Sequence, residues 1–201
     1  MRDVHPIERK SYRILRERVD TDPLPPYTRA VVERVIHATA DTTWLGELWT
    51  EETVLYHGRA ALLDGAPVVT DARMVAAGIT SRECVVGLDL PGVAELARDA
   101  DITRSAAGIR LAAQQYAKGA VWVIGNAPTA LLELVAQCNF GGVQPAMVVA
   151  VPVGFVDAVT SKATVRMIGL PVVSNLSERG GASVAAAIVN ALLYFDEEEY
   201  Q

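Results

Sequence analysis

The sequence contains few of the residues that mark specialised classes of protein. Only two cysteines occur, Cys84 and Cys138, and their separation fits neither a zinc site nor a disulfide framework. We therefore expect two reduced thiols and a cytoplasmic protein. No apolar run without charges reaches the ~18 residues that a membrane span requires, and the segment beginning at Met1 lacks the apolar core of a signal peptide. No membrane partner is expected.

Positive charge and nucleotide-binding motifs are also scarce. The formal net charge is −6 over 201 residues, which argues against nucleic acid or an anionic membrane surface as a partner. The segment from Gly125 to Thr129 is no phosphate loop, because Pro128 lacks the N–H that such a loop needs. The histidines lack a second ligand at metal spacing, and no GxSxG motif is present. The sequence predicts no nucleotide site and no metal site.

Alanine and valine are abundant, and they form short apolar runs that alternate with helical patterns. Three helices are predicted first, covering about residues 7–19, 26–37 and 51–63. Continuous apolar runs follow, which is typical of strands buried on both faces. Their alternation with helices predicts a three-layer α/β fold, with N-terminal helices and a mostly parallel sheet of about five strands flanked by helices. The predicted strands cover residues 67–70, 84–88, 120–124, 146–151 and 171–174.

The length and the charge pattern predict how the chain is divided. A chain of 201 residues fits one α/β unit, so we predict a single domain over residues 1–195. Residues 196–201 begin with an aspartate and three glutamates, and such an acidic run predicts a solvated, disordered tail.

Polar or glycine residues follow each predicted strand. In open α/β sheets, ligands bind beyond the carboxyl ends of the strands. These residues therefore either surround a ligand crevice or only turn the chain. They are Thr70-Asp71, Asp89, Gly125-Asn126, Gly154 and Ser174-Asn175.

His37 is a candidate for proton transfer because it ends the second predicted helix. The free carbonyls of a helix end favour the imidazolium form, and such a histidine could donate a proton near neutral pH. Alternatively, His37 only caps its own helix. His5 and His57 are interpreted as non-catalytic.

Three basic residues lie near predicted helix starts. Arg104 follows Thr103, Lys162 follows Ser161, and Arg179 precedes Gly180-Gly181. Free N–H groups at a helix start, together with a basic side chain, form a good carboxylate site. Three such sites on one rim would fit a ligand with many carboxylates, although each residue could also be an ordinary solvated cation.

Several segments with distinctive residue sequences resemble the precorrin-8X methylmutase family of cobalamin biosynthesis. The resemblance extends from about residue 7 to residue 193. The segments include Glu8-Arg9-Lys10-Ser11, Ile36-His37-Ala38, Thr103-Arg104-Ser105, Ile124-Gly125-Asn126, Ser161-Lys162 and Gly180-Gly181-Ala182.

The resemblance implies an isomerase. Members of the family move a methyl group from C-11 to C-12 of precorrin-8X, or of its cobalt form, by a 1,5-sigmatropic shift that gives hydrogenobyrinic acid. The resemblance implies no cofactor, a tetrapyrrole substrate and a homodimer. A corrinoid carrier without catalysis is the alternative in another class of protein.

The resemblance also assigns roles to individual residues. His37 would donate a proton to a ring nitrogen of the substrate. Ser11, Thr80, Arg104 and Lys162 would contact the substrate. The remaining predicted site residues are Asp71 and Asn126, in supporting roles, and Gly180 and Gly181.

Overall fold

The structure, a computed structural model, describes residues 5–200 and contains a six-stranded sheet. The strands lie in the order β1-β6-β5-β4-β2-β3. Strands β2 to β6 are parallel, and β1 pairs antiparallel with β6. The bounds are β1 Leu48–Trp49, β2 Val68–Thr70, β3 Cys84–Val86, β4 Val121–Ile124, β5 Met147–Ala150 and β6 Val172–Asn175. The predicted α/β fold is confirmed, and all five predicted strands form; the two-residue edge strand β1 was not predicted.

Helices connect and cover the strands. Prolines begin α1, α2 and α7, where the missing N–H leaves no helical bond unmade. Within residues 5–200, every helix falls short of the combined length and apolarity needed to span a bilayer. The bounds are α1 Pro6–Arg18, α2 Pro26–Thr39, α3 Glu52–Leu63, α4 Arg73–Gly78, α5 Val93–Asp99, α6 Arg104–Gln115, α7 Pro128–Asn139, α8 Ala158–Met167, α9 Ala182–Leu193 and α10 Glu197–Tyr200.

The helices form two layers, one on each face of the sheet. Successive side chains of a strand point to opposite faces. Val121 and Val123 accordingly pack in one core with α1, α2, α3, α4 and α9, which we call the α2–α9 layer. Trp122 and Ile124 pack in the other core with α6, α7 and α8, which we call the α6–α7 layer. Both cores consist mainly of buried aliphatic side chains, so the sheet is a rigid support for the loops at its edge.

The strand order sets the position of the candidate site. The chain passes from β2 to β3 on one side and returns to β4 on the other side of β2. Because β2 to β6 are parallel, their carboxyl ends meet at one edge, and the strand order reverses between β2 and β4. Ligands of doubly wound sheets bind in the crevice at such a reversal.

The C-terminal segment differs from its prediction. Instead of a disordered tail from residue 196, the structure has the single turn α10. The Tyr200 hydroxyl donates to Glu33 Oε2 over 3.3 Å, and the Tyr200 ring stacks on Phe195. The Arg16 guanidinium lies 5.6 Å from the centre of the same ring. The aromatic and cation–π contacts of Tyr200 hold the acidic turn against the helices, a contribution that net charge does not reveal. Residues 1–4 and 201 lie outside the described residues.

Candidate functional site

His37 lies half-buried in the last turn of α2, and two residues of α1 contact its ring. The Ser11 hydroxyl bonds to Nδ1 over 2.8 Å. The Tyr12 ring stacks on the imidazole, with the ring centres 5.0 Å apart and an interplanar angle of 10°. In the described part of the chain, Nε2 has no hydrogen-bond partner. The ring is thus oriented by α1, and its Nε2 atom is available to a ligand.

The surroundings of His37 favour the neutral ring. Burial lowers the pKa of His37, and the positive charge of Arg34 lowers it further. The Glu8 carboxylate acts in the opposite direction, but it is paired with Arg34 over 3.2 Å. The prediction that the helix end favours the imidazolium form is therefore wrong for the ligand-free protein, because burial and Arg34 together outweigh it.

Thr80 joins the same cluster from the other side. Its hydroxyl lies 2.7 Å from the Tyr194 hydroxyl. The Arg34 guanidinium lies 5.7 Å from the centre of the Tyr194 ring and 5.9 Å from that of the Tyr12 ring. The structure thus connects His37, Ser11 and Thr80, three predicted site residues. Sequence reasoning missed Tyr12, Arg34 and Tyr194; the spacing of Arg34 and His37, one turn apart on a helix, was the available signal.

Asp71 supports the loop that follows β4. It is 1% exposed, and its carboxylate accepts the backbone N–H groups of Gly125, Asn126 and Ala127 over 3.0, 2.9 and 2.7 Å. Burial raises the pKa of Asp71, and the three N–H bonds oppose that rise. Both Asp71 oxygens face the loop, an arrangement that is compatible with the predicted supporting role.

Arg104 is exposed at the start of α6. The Thr103 hydroxyl caps this helix by accepting the Ala106 N–H over 3.2 Å, and it lies 2.8 Å from the Thr129 hydroxyl. This contact joins the starts of α6 and α7. Among residues 5–200, the Arg104 side chain has no hydrogen bond or ion pair. Its guanidinium is therefore available to an anionic ligand.

Lys162, predicted from the sequence to contact the substrate, is fully buried, at 0% exposure. Its Nζ donates to Asn175 Oδ1 over 2.8 Å, to the Ser177 carbonyl over 2.6 Å and to the Arg179 carbonyl over 2.7 Å. An ammonium group has three protons, so no donor is left for a substrate carboxylate. Helix position alone could not reveal this, because the acceptors come from a distant loop.

Arg179 is also engaged within the protein. Its guanidinium pairs with Asp41, donates to Thr43 Oγ1 over 2.8 Å and lies 4.6 Å from the centre of the Trp44 ring. Of the three basic residues predicted at helix starts, Arg104 alone is unpaired in the described part of the chain.

Gly180 and Gly181 let their loop approach the segment after β5. Their φ angles are 147° and 116°, and the Gly181 N–H donates to the Val151 carbonyl over 2.9 Å. A Cβ atom at Gly180 would lie 2.2 Å from that carbonyl oxygen. A side chain here would push the two segments apart, so the structure gives these glycines a packing role.

The arrangement fits proton transfer to an anionic ligand. It offers an oriented imidazole with a free Nε2 atom and an unpaired guanidinium at the edge where strands end. Within residues 5–200, no three side chains of histidine, cysteine, aspartate or glutamate come together as a metal site would require. A doubly wound sheet that carries an oriented histidine is the class of α/β protein that can act by acid–base chemistry.

Comparison with known proteins identifies the family. The family model for precorrin-8X methylmutase matches residues 6–195. The chain is 40% identical to cobalt-precorrin-8 methylmutase of Salmonella typhimurium, over 84% of this chain and 82% of that protein. It is 36% identical to precorrin-8X methylmutase of Pseudomonas aeruginosa, over 96% of each chain. The solved structure of precorrin-8x methyl mutase from Thermus thermophilus superposes with a TM-score of 0.85 at 32% identity, covering 93% of both chains. The chain belongs to the precorrin-8X methylmutase family, whose members are isomerases of cobalamin biosynthesis.

Proposed function

We propose that this protein moves a methyl group from C-11 to C-12 of precorrin-8X by a 1,5-sigmatropic shift, giving hydrogenobyrinic acid. His37 donates a proton to a ring nitrogen of the substrate. The observation that carries this proposal is the geometry of His37, whose Nδ1 atom is held by Ser11 while Nε2 has no partner among the described residues. Protonation withdraws electron density from the macrocycle and lowers the barrier to migration.

The neutral state of free His37 is compatible with this role. The substrate has several carboxylate arms, and negative charge near an imidazole raises its pKa. Substrate binding therefore offsets the effect of burial and of Arg34. In the imidazolium, Nδ1–H donates to the Ser11 hydroxyl, and Nε2–H faces the substrate. A donor whose pKa is lowered by its surroundings also releases its proton more readily.

Arg104 binds a carboxylate arm of the substrate. Its guanidinium is exposed and unpaired among residues 5–200, and a guanidinium can hold a carboxylate through two parallel hydrogen bonds. The Thr80 hydroxyl supplies a neutral contact to the substrate, whereas the Ser11 hydroxyl acts through its bond to His37, and Asn126 lies on the loop that follows β4.

The experiment is turnover of purified protein supplied with precorrin-8X and, separately, with cobalt-precorrin-8. We expect the absorption spectrum to change to that of the methyl-shifted product, with no change of mass and no added cofactor. Relatives with both names match this chain, so the two rates decide between the metal-free and the cobalt substrate.

A corrinoid carrier is the alternative function. It would bind the substrate stoichiometrically and leave its spectrum unchanged over hours, and that result would contradict the isomerase. The matched control is His37→Ala, which should bind the substrate without converting it.

We also propose that the protein acts as a homodimer in the cytoplasm. Light scattering during size-exclusion chromatography measures the mass, and a monomer at micromolar concentration would contradict the dimer.

A further inference from the structure

The buried cation Lys162 is surrounded by acceptors from one loop. Residues 175–181, which we call the 175–181 loop, connect β6 to α9. The Lys162 ammonium bonds to three oxygens of this loop at 2.6–2.8 Å. Burying a charge is unfavourable unless it is fully hydrogen-bonded. The ammonium and the loop therefore hold each other in a single arrangement.

A second set of bonds fixes the same loop from its other side. The Asn175 side-chain amide donates to the Arg179 carbonyl over 2.9 Å and to Glu47 Oε1 over 3.1 Å. The Ser177 N–H donates to the same Glu47 oxygen over 2.7 Å. The negative charge of Glu47 partly balances the positive charge of Lys162. Without the ammonium, three oxygens of the loop would lose their shared donor.

The 175–181 loop reaches the helix that carries His37. Its Arg179 side chain pairs with Asp41 and bonds to Thr43. Asp41 comes directly after Ala40, the left-handed C-cap of α2, and four residues after His37. Arg179 thus ties the end of α2 to the carboxyl edge of the sheet.

We propose that Lys162 is a positioning residue for the isomerisation: its ammonium fixes the 175–181 loop and, through the Arg179–Asp41 pair, the placement of His37. This inference rests on the proposed function and goes beyond it, because Lys162 acts without touching the substrate. Replacing Lys162 therefore lowers kcat and leaves substrate binding nearly unchanged.

The pKa of Lys162 makes this role sensitive to pH. The pKa of Lys162 is lowered to about 8, mainly by burial; the carboxylates of Glu47 and Glu178 oppose the shift, and the positive charge of Arg166 adds to it. Above that pH the amine is neutral and can donate to only two of its three acceptors. The unfolded chain keeps its proton to higher pH, so this group does not reduce the free energy of unfolding as pH rises above 8. Activity falls there while stability does not.

The experiment compares Lys162→Met with Lys118→Met, an exposed matched control, in kcat, KM and the pH dependence of kcat. We expect Lys162→Met to lower kcat about ten- to a hundredfold, as small misplacements of a reacting group do, with KM within about threefold of the wild-type value. Above pH 8, wild-type kcat should fall with one ionisation that the Lys162→Met variant lacks, that of the Lys162 amine. A raised KM with unchanged kcat would mean that Lys162 contacts the substrate, and would overturn the proposal.

Two further measurements separate this inference from the proposed function. The His37 imidazole resonances, measured by NMR without substrate, should shift in Lys162→Met and not in Lys118→Met; identical resonances overturn the positioning role even if the wild type has no turnover. If Lys162→Met does not fold, Arg179→Gln replaces it, because this variant keeps the backbone carbonyl that Lys162 binds and removes the link to Asp41. An unchanged kcat in a folded Arg179→Gln variant would also overturn the proposal.

Discussion

The two helix layers carry different candidate groups for chemistry and binding. The α2–α9 layer supplies an imidazole that side chains orient, with Ser11 on its edge and Tyr12 on its face. The α6–α7 layer supplies Arg104, an exposed cation in the first turn of α6, and the Thr103 hydroxyl caps that helix. A ligand that contacted both groups would span both layers. Under the proposed function, proton transfer and charge recognition lie on opposite faces of the sheet, so substitutions should affect them separately.

The strongest test of this separation is His37→Ala. We expect kcat to fall by ~10²–10⁴, the usual contribution of a general acid, while the dissociation constant of the substrate changes little. Single-turnover spectra give the rate, and fluorescence titration gives the binding. His57→Ala, at an exposed histidine of α3, is the matched control. Turnover within threefold of the wild type would remove His37 from the mechanism.

The opposite effect is expected for Arg104→Ala. Loss of a charge-assisted hydrogen bond should weaken binding by about 1.5–3 kcal/mol, with little effect on the rate of bound substrate. The difference from the wild type should shrink as salt rises, because ions screen the attraction that the variant lacks. Arg98→Ala, at an exposed arginine of α5, is the control. Equal weakening by both variants would indicate an effect of net charge alone.

Ser11→Ala should have a smaller effect, confined to the α2–α9 layer. It removes the bond to Nδ1 of His37, and a single hydrogen bond contributes about 0.5–1.5 kcal/mol. We expect kcat to fall roughly two- to tenfold with unchanged binding, and Ser11→Thr, which keeps the hydroxyl, to restore most of the rate. If Ser11→Ala weakened binding and left kcat intact, Ser11 would be a substrate contact and not an orienting residue.

The smallest expected effect concerns the charge beside His37. Arg34 lowers the pKa of His37, so Arg34→Gln should raise it, and Arg34→Lys should leave it nearly unchanged. NMR titration of the imidazole measures both values. The rate should also persist to higher pH in Arg34→Gln, because the acid remains protonated longer. A His37 pKa that is equal in wild type and Arg34→Gln would leave burial as the sole cause of the shift.

Local sequence patterns were enough to predict the five parallel strands but not the outermost strand β1. Each strand from β2 to β6 contains a short apolar run, and such runs can be recognised in the sequence alone. The two residues of β1 form a strand only because β6 pairs with them. The resemblance brought Ser11, His37 and Thr80 together although 26 residues separate the first two and 43 the last two. Spacing alone could not have joined them.

Three charged regions have partners that the sequence did not reveal. Lys162 and Arg179 were interpreted from charge and helix position as carboxylate-binding or solvated cations, and the tail at Tyr200 from charge as a disordered segment. Each instead has partners more than ten residues away, at Asn175, Asp41 and Glu33. A charge remains solvated only when nothing in the fold satisfies it, and that depends on tertiary contacts that a local pattern does not contain.

The carboxylate of Asp71 has a consequence for selectivity among anions. Consecutive backbone N–H groups at the start of a helix are a common cradle for phosphate. Here Asp71, part of the same chain, already accepts those of Gly125, Asn126 and Ala127. A dissolved phosphate would have to displace a tethered competitor whose effective concentration is far above its own. Because these N–H groups are already occupied, the crevice between β2 and β4 disfavours the phosphate groups of nucleotides. An anionic ligand would then have to be bound by arginine side chains.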